Sequence, residues 1–239
     1  MITIDLKRLR LFEGCRILDI GCGSGRHSAA AGDWGRCLVV GADTAYADLQ
    51  AARERFDFHV KMREAPGGAF CPAAGDITRL PFAERTFDLL LCSEVLEHVP
   101  DQRLAAREMS RVLKPGAQLA LSVPRRFPES VCWALSRDYR HAPGGHVRIY
   151  TVPGIITLLE GCGLDHRHTH YAHSLHTPYW WLKCLLGIDR NQVWAVRLYH
   201  RFLTWQMFTK PRCFSILERW LDPLLGKSVV LYFTKNPAE

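Results

Sequence analysis

The sequence predicts an α/β fold, with a seven-stranded, mostly parallel sheet and helices on both of its faces. Short apolar runs alternate with longer helical segments along the chain, as they do where helices join parallel strands. Ile17, Leu18 and Ile20 form the first run, which is apolar enough for a strand buried on both faces and leads directly into a glycine-rich turn. The last apolar run, 228–234, follows a helical segment and completes the predicted sheet.

Three glycines follow the first strand at alternate positions, 21, 23 and 25, and a helix is predicted from Arg26. Glycine tolerates positive φ and lets a ligand approach the backbone, while the free N–H groups of a helix N-terminus favour an anion. The turn therefore suits a nucleoside-like ligand with an anionic group such as an amino acid carboxylate. A dinucleotide site needs its third glycine where Arg26 stands, so the spacing disfavours an NAD-dependent oxidoreductase.

The second strand predicts a ribose site at its end. Residues 37–41 are apolar and β-branched, and Asp43 follows them. An acid at this position lies beside the nucleoside pocket and can accept hydrogen bonds from both ribose hydroxyls. The alternative is that Asp43, together with Thr44, caps the next helix, 45–62.

Two later segments place further polar residues at the same edge of the sheet. Gly75-Asp76-Ile77 follows a weak strand at 69–74, and Ser93-Glu94 follows the fourth strand, 86–92. Open α/β sheets bind their ligands at the carboxyl ends of the strands. The alternative for Asp76 is that it caps a turn.

The segment Asp19-Ile20-Gly21-Cys22-Gly23-Ser24-Gly25 resembles motif I of the class I S-adenosylmethionine (SAM) dependent methyltransferases. Gly75-Asp76, Ser93–Pro100 and Arg111–Gly116 resemble later motifs of the same family, and they occur in the family's order. The resemblance is to the broad group that includes quinone-biosynthesis and other small-molecule methyltransferases. It implies a Rossmann-like class I methyltransferase fold, SAM as cofactor, and methyl transfer to an acceptor, and it is not specific for that acceptor.

The resemblance also implies which residues bind SAM. Asp76 would meet the adenine amino group, and Asp43 would meet the ribose. The full implied set is Asp19, Gly21, Cys22, Gly23, Ser24, Gly25, Asp43, Thr44, Asp76, Ile77, Ser93 and Glu94.

Three histidines are candidates for a general base. His98, His141 and His146 all lie in segments expected over the carboxyl edge of the sheet, where loops carry function. A base is needed only if the acceptor atom carries a proton with a high pKa, as a hydroxyl does. The alternative is that these histidines serve only loop hydrogen bonds.

Three further histidines, at 166, 168 and 170, alternate along a predicted sixth strand, 164–174, which places them on one face. Such a row could bind a metal. We interpret it instead as a polar face near the sheet edge, because a metal would need converging ligands, and we predict no metal site.

We expect residues 1–174 and 228–239 to form the SAM-binding domain and 175–227 to form a helical insertion before the last strand. Aromatic residues concentrate in this insertion: Tyr179, Trp180, Trp181, Trp194, Trp205 and Trp220. Residues 175–239 hold nine Lys and Arg against four Asp and Glu, and so carry +5 of the chain's formal +7. We predict that the insertion covers the active site and provides an apolar pocket for a hydrophobic or lipid-like acceptor, or a membrane-facing surface. The alternative is that the aromatic rings only pack its helices onto the sheet.

Composition and motifs narrow the classes of protein to which this chain can belong. With 48% hydrophobic residues the chain is of ordinary globular composition, and we expect neither a transmembrane helix nor a signal peptide. Nine cysteines without a C-x-x-C pair indicate free thiols and a cytoplasmic location, with peripheral membrane contact as an option. A nucleic-acid methyltransferase is disfavoured, because Ser93-Glu94-Val95 stands where an Asn/Asp-Pro-Pro-aromatic motif would follow strand four, so no nucleic acid partner is expected. A SAM-binding protein without catalytic activity is the other alternative.

Overall fold

The computed structural model describes residues 2–62, 68–209 and 211–237. Within these ranges the strands are β1 (Arg16–Ile20), β2 (Leu38–Asp43), β3 (Ala69–Ala74), β4 (Phe87–Ser93), β5 (Leu113–Pro124), β6 (Leu164–Ala172) and β7 (Ser228–Lys235). They form one seven-stranded sheet in the order β3-β2-β1-β4-β5-β7-β6. Only β7 pairs antiparallel, with β5 on one side and β6 on the other. The predicted seven-stranded, mostly parallel α/β fold is confirmed.

The helices that the described ranges contain are α1 (Arg26–Gly32), α2 (Tyr46–Lys61), α3 (Gln102–Val112), α4 (Arg126–Leu135), α5 (Arg137–Arg140), α6 (Val152–Glu160), α7 (His176–Leu186), α8 (Trp194–Thr209) and α9 (Arg212–Leu225). Side-chain caps set three of the starts, one of them at α5, where Ser136 accepts from the Tyr139 N–H. Asp101 accepts from the N–H groups of Arg103 and Leu104 at α3, and Thr151 accepts from that of Gly154 at α6. No helix is predicted from the sequence over 125–148, where the structure has α4 and α5.

Two apolar cores lie on the two faces of the sheet. Leu18 and Ile20 of β1 point into one core, which α3 and α6 cover, while Ile17 points into the other, which α1 and α2 cover. All three side chains are buried, as expected for a strand at the centre of a parallel sheet. The two cores fix the strands relative to one another, and so fix the carboxyl edge of the sheet, where α/β folds bind ligands.

The prediction that His166, His168 and His170 share one face of β6 is wrong. The register of β6 against β7 shifts between His166 and His168, so the two residues pair with Phe233 and Tyr232, which have opposite facing directions. His166 lies 5.5 Å from the Phe233 ring, whereas His168 and His170 both lie beside the Tyr232 ring. This β-bulge turns His166 away from the other two, so the row of three does not form.

The segment between β6 and β7 forms α7, α8 and α9, which confirms the prediction of helices there. Thr177 Oγ1 of α7 donates a hydrogen bond to the Leu225 carbonyl at 2.6 Å, and Trp181 Nε1 donates to the Pro128 carbonyl of α4 at 3.1 Å. These bonds join α7 both to the end of α9 and to the first helix after β5. In the described part of the chain no helix has the length and apolar character needed to cross a bilayer.

Candidate active site

The turn between β1 and α1 uses backbone that glycine adopts without strain. Gly21, Gly23 and Gly25 have φ values of +61°, +48° and +74°. A Cβ on Gly25 would lie 2.8 Å from Ala52 of α2, so a larger residue would push the two helices apart. A Cβ on Gly23 would meet no described atom within 4 Å. The backbone at Gly23 is therefore open to the approach of a ligand.

Asp43 connects this turn to the end of β2. Its Oδ2 accepts a hydrogen bond from the Gly23 N–H at 2.9 Å, and its Oδ1 accepts one from the Ala45 N–H at 3.0 Å. The bond to Ala45 forms a turn just before α2, whose N-cap, Ala45, has no side-chain cap, so Asp43 does not cap the helix as the alternative stated. Each carboxylate oxygen has a second acceptor site, so these two bonds leave room for a ribose hydroxyl.

Two cavities adjoin the turn, and Gly21 and Glu94 line both of them. The larger, about 640 Å³, is lined by the predicted residues Gly21, Asp43, Thr44, Asp76, Ile77 and Glu94. The smaller, about 320 Å³, is lined by the predicted residues Gly21, Cys22, Gly23, Ser24, Ser93 and Glu94. The structure therefore brings the predicted cofactor residues into one continuous region, apart from Asp19 and Gly25.

Asp19 and Gly25 support the turn from beneath. Asp19 is buried, its Oδ2 accepts a 2.6 Å hydrogen bond from Ser28 Oγ of α1, and burial raises its pKa to about 7. Gly25 is the N-cap of α1 and packs on Ala52. These placements assign both residues to the shape of the turn, and neither lines the cavities.

Asp76 and Glu94 occupy turns at two other strand ends. Asp76 Oδ1 accepts hydrogen bonds from the N–H and the hydroxyl of Thr78 at 2.7 and 2.8 Å, so its turn-capping alternative is realised and its adenine contact stays a prediction. Glu94 has a φ of +56°, and its Oε1 accepts from Ser122 Oγ at 2.8 Å. Left-handed backbone at a residue that lines both cavities is typical of functional sites.

The charges of the two cavities fit the two halves of SAM. Carboxylates line the larger cavity, where they can accept hydrogen bonds from ribose and adenine. Arg26 and Lys227 line the smaller cavity, which also adjoins the N-terminus of α1. Cations and free N–H groups favour the carboxylate of the amino acid half. Gly21 lines both cavities and so lies at their junction.

A buried acid orients one of the predicted bases. His146 Nδ1 lies 2.6 Å from Glu129 Oε1, and Glu129 is buried on α4. Trp133 Nε1 also donates to Oε1 at 3.0 Å, and the Tyr139 hydroxyl donates to Oε2 at 3.2 Å. Burial acts to raise the pKa of Glu129, but the hydrogen bond and charge of His146 outweigh it and hold the pKa below its usual value. With Nδ1 on the carboxylate, His146 has Nε2 left to accept a proton.

Glu97 and His98 lie next to this pair. The His98 and His146 rings have centroids 5.0 Å apart, and His98 also lines the larger cavity. Glu97 is buried, neither of its oxygens has a hydrogen-bond partner among the described residues, and burial raises its pKa well above the usual value. Ligand atoms of Glu97, His98 and His146 lie within 4.8 Å of one another, so these residues could hold a cation, and the prediction of no metal stays a prediction.

His141 lies apart from these residues. Its side chain is exposed at the end of α5, and Nδ1 is 3.0 Å from the Arg137 carbonyl oxygen. This is the loop hydrogen bond of the alternative interpretation. Of the three candidate bases, His98 lines the larger cavity, and the His146 ring lies 5.0 Å from the His98 ring.

Several lining residues were not predicted. His176, Trp180 and Lys227 belong to the segment between β6 and β7 and line the smaller cavity. Glu129 was also missed, although a single acid within the mostly apolar run 127–135 is a signal that could have revealed it. A buried carboxylate of this kind has to be paired, and its partner comes from another segment.

Comparisons with known proteins agree with this geometry. A family model described as "Methyltransferase domain" matches residues 18–121. The ubiquinone biosynthesis O-methyltransferase of Leptothrix cholodnii is 30% identical over 188 residues, which cover 74% of this chain and 76% of that protein. Methyltransferase GfsG of Streptomyces halstedii is 33% identical over 116 residues, which cover 48% of this chain and 40% of GfsG. This chain thus matches less than half of the length of GfsG.

A solved structure shows the same fold. The S-adenosylmethionine-dependent methyltransferase from Mesorhizobium loti aligns over 96% of this chain and 94% of its own, with a TM-score of 0.58 and 18% identity. At this identity the likeness shows the fold alone. Together with the Leptothrix relative and the glycine turn, it leads to one conclusion: this chain belongs to the class I methyltransferases, enzymes whose cofactor is S-adenosyl-L-methionine.

Proposed function

We propose that this chain transfers the methyl group of SAM to a hydroxyl group of a small hydrophobic acceptor. The observation that carries the proposal is the pair of His146 and buried Glu129, which lies beside His98 at the edge of the larger cavity. A hydroxyl acceptor needs a positioned base, and an imidazole oriented by a carboxylate is one. The oxygen-directed activity in the name of the Leptothrix relative supports the same acceptor atom.

The residues of this chain have two tasks in that reaction. When bound, SAM supplies a methyl group on a sulfonium, so its transfer to a hydroxyl breaks the sulfur–carbon bond, gives S-adenosylhomocysteine and releases one proton. His146 accepts that proton at Nε2, and Glu129 stabilises the imidazolium that forms. The glycine turn and the opposite wall of the smaller cavity, with Trp180 and Lys227, hold the acceptor oxygen in line with the methyl group.

An aromatic wall beside the base supports a hydrophobic acceptor. Trp180, which lines the smaller cavity, packs on Tyr139 with ring centroids 5.8 Å apart, and Tyr139 packs on His146 at 6.1 Å. Apolar and aromatic walls with a few polar groups are typical of small-molecule sites. We therefore assign 175–227 as the substrate cover and 1–174 with 228–239 as the SAM-binding domain, of which 238–239 lie outside the described residues.

The same insertion carries a surface suited to a membrane interface. Trp194, Phe208 and Trp220 on α8 and α9 are 75%, 78% and 77% exposed. Exposed arginines occur on the same two helices: Arg197, Arg201, Arg212 and Arg219. Helices that combine exposed aromatic rings with cations bind at anionic lipid surfaces, where a hydrophobic acceptor is concentrated. We infer peripheral membrane contact through this surface.

The ribose assignment is tested by Asp43→Asn. The substitution removes the negative charge that strengthens the hydrogen bonds to the ribose hydroxyls, and bonds of this kind contribute about 1.5–3 kcal/mol. We expect the affinity for SAM, measured by titration calorimetry, to fall at least about tenfold. Asp57→Asn on the exposed side of α2 is the matched control and should bind like the wild type. Equal affinities for both variants would refute the assignment.

The base is tested by His146→Ala. Loss of a general base lowers turnover by about 10²–10⁴, while calorimetry should show unchanged affinity for SAM. The assay follows S-adenosylhomocysteine release with a phenolic acceptor. Glu129→Gln should also lower kcat, whereas the exposed control His141→Ala should leave kcat unchanged. Near wild-type turnover in His146→Ala would show that this histidine is not the base, and absence of turnover in the wild type would favour a SAM-binding protein without activity.

Membrane contact is tested by co-sedimentation with phosphatidylserine-containing vesicles. Each Lys or Arg near an anionic surface contributes about 1 kcal/mol, so binding should be strong at low salt and should weaken as salt is added. The triple variant Trp194→Ser, Phe208→Ser, Trp220→Ser should stay in the supernatant. Phe58→Ser, which changes an exposed ring on α2, is the control and should still sediment. Failure of the wild type to sediment, or equal sedimentation of the triple variant, would refute the membrane surface.

A further inference from the structure

A second group of metal-ligating side chains lies where β6 leads into the insertion, separate from Glu97, His98 and His146. His173 and His176 lie at the junction of β6 and α7, and Glu218 lies on α9. One ligand atom from each lies within 4.8 Å of the other two. We propose that these three residues bind a divalent transition metal ion, with Zn²⁺ the best match to two imidazoles and a carboxylate.

The two histidines are placed as metal ligands usually are. His173 is held at a φ of +67°, and its Nε2 lies 3.2 Å from the Thr3 hydroxyl oxygen. An imidazole fixed through one nitrogen by an oxygen atom presents the other nitrogen in a defined direction, as in known metal sites. Left-handed backbone in a residue other than glycine costs free energy, which a bound ion would offset.

His176 offers a nitrogen that the protein leaves unsatisfied. Its Nδ1 is buried and has no hydrogen-bond partner among the residues that the structure describes. A buried polar atom without a partner is destabilising, and coordination would remove that cost.

Glu218 completes the group from the opposite side. Its Oε2 accepts a 2.8 Å hydrogen bond from Nε2 of Gln206, a buried residue of α8, so the carboxylate is oriented. Asp222, one turn further along α9, accepts from the Ser174 N–H at 2.9 Å. Burial raises the pKa of both acids. In the described ranges neither acid has a salt bridge to Lys or Arg.

The charge balance favours a dication. The Glu218 carboxylate lies with the two imidazoles, and a divalent ion would balance its negative charge. Lys227 opposes this, since its charge lowers the pKa of both histidines, but its Nζ is also engaged over the Trp180 ring at 5.1 Å. None of the residues of α9 is buried, so apolar burial contributes little to holding this helix. The ion would fasten α9, and through Gln206 also α8, to the end of β6.

The full chain, stripped of metal with a chelator, is titrated with Zn²⁺ by calorimetry and with Co²⁺ by visible absorption. We expect one ion at this site, a Tm that rises with Zn²⁺, and Co²⁺ bands of low-coordinate His and carboxylate ligation. Glu218→Gln keeps the bond to Gln206 possible but removes the anionic ligand, and should weaken binding at least about tenfold. His176→Gln should weaken metal binding as well. With two variants, the test still stands if one of them does not fold.

Glu97→Gln and exposed Glu160→Gln are the controls, and circular dichroism establishes that each variant is folded. Binding that survives in both controls but is lost in Glu218→Gln and His176→Gln supports the site. The proposal is overturned if the wild type binds neither metal. It is also overturned if binding is lost in Glu97→Gln alone, or if Glu218→Gln binds as tightly as the wild type. These results do not depend on methyl transfer, so the site can fail while the proposed function stands.

Discussion

The passage of the chain from β1 into α1 is the constraint on which the cleft depends. Three glycines with positive φ turn the backbone within five residues, and Gly25 brings α1 against Ala52 of α2. Asp19 tethers α1 through Ser28 from below, and Asp43 holds the Gly23 N–H from the side. The turn is thus fixed by two carboxylates on neighbouring strands. Its shape decides where a ligand can reach the backbone, and both cavities begin there.

Two buried acids, Glu97 and Glu129, lie near the two candidate bases. Glu129 is paired with a histidine, an indole and a phenol, so its negative charge is stabilised and can orient His146. Glu97 has no hydrogen-bond partner among the described residues, and its raised pKa follows from burial and from the nearby Glu94. Neighbouring acids whose pKa values are perturbed by burial and by specific partners are typical of functional sites. The wall opposite the glycine turn, with Trp180 and Lys227, belongs to the segment between β6 and β7.

The sequence is informative wherever the determining pattern is local. Buried strands, glycine spacing and acids at strand ends are each set within a few residues, which is why β1 to β5 and most of the residues that line the two cavities at the strand ends were predictable. The role of Glu129 was not, because it depends on α4 folding back towards His146. The bulge after His166 depends on the partner strand, and no period along β6 reveals it. His173, His176 and Glu218 meet only because α9 returns to the end of β6.

The central claim is that the glycine turn and the insertion together form the cofactor cleft. A crystal structure of the full chain with S-adenosylhomocysteine tests it most directly. We predict the nucleoside in the larger cavity with Asp43 on its ribose, and the amino acid half in the smaller cavity, between the glycine turn and the wall of Trp180 and Lys227. A nucleoside bound outside these cavities, or an amino acid half without contact to either side of the smaller one, would contradict the account.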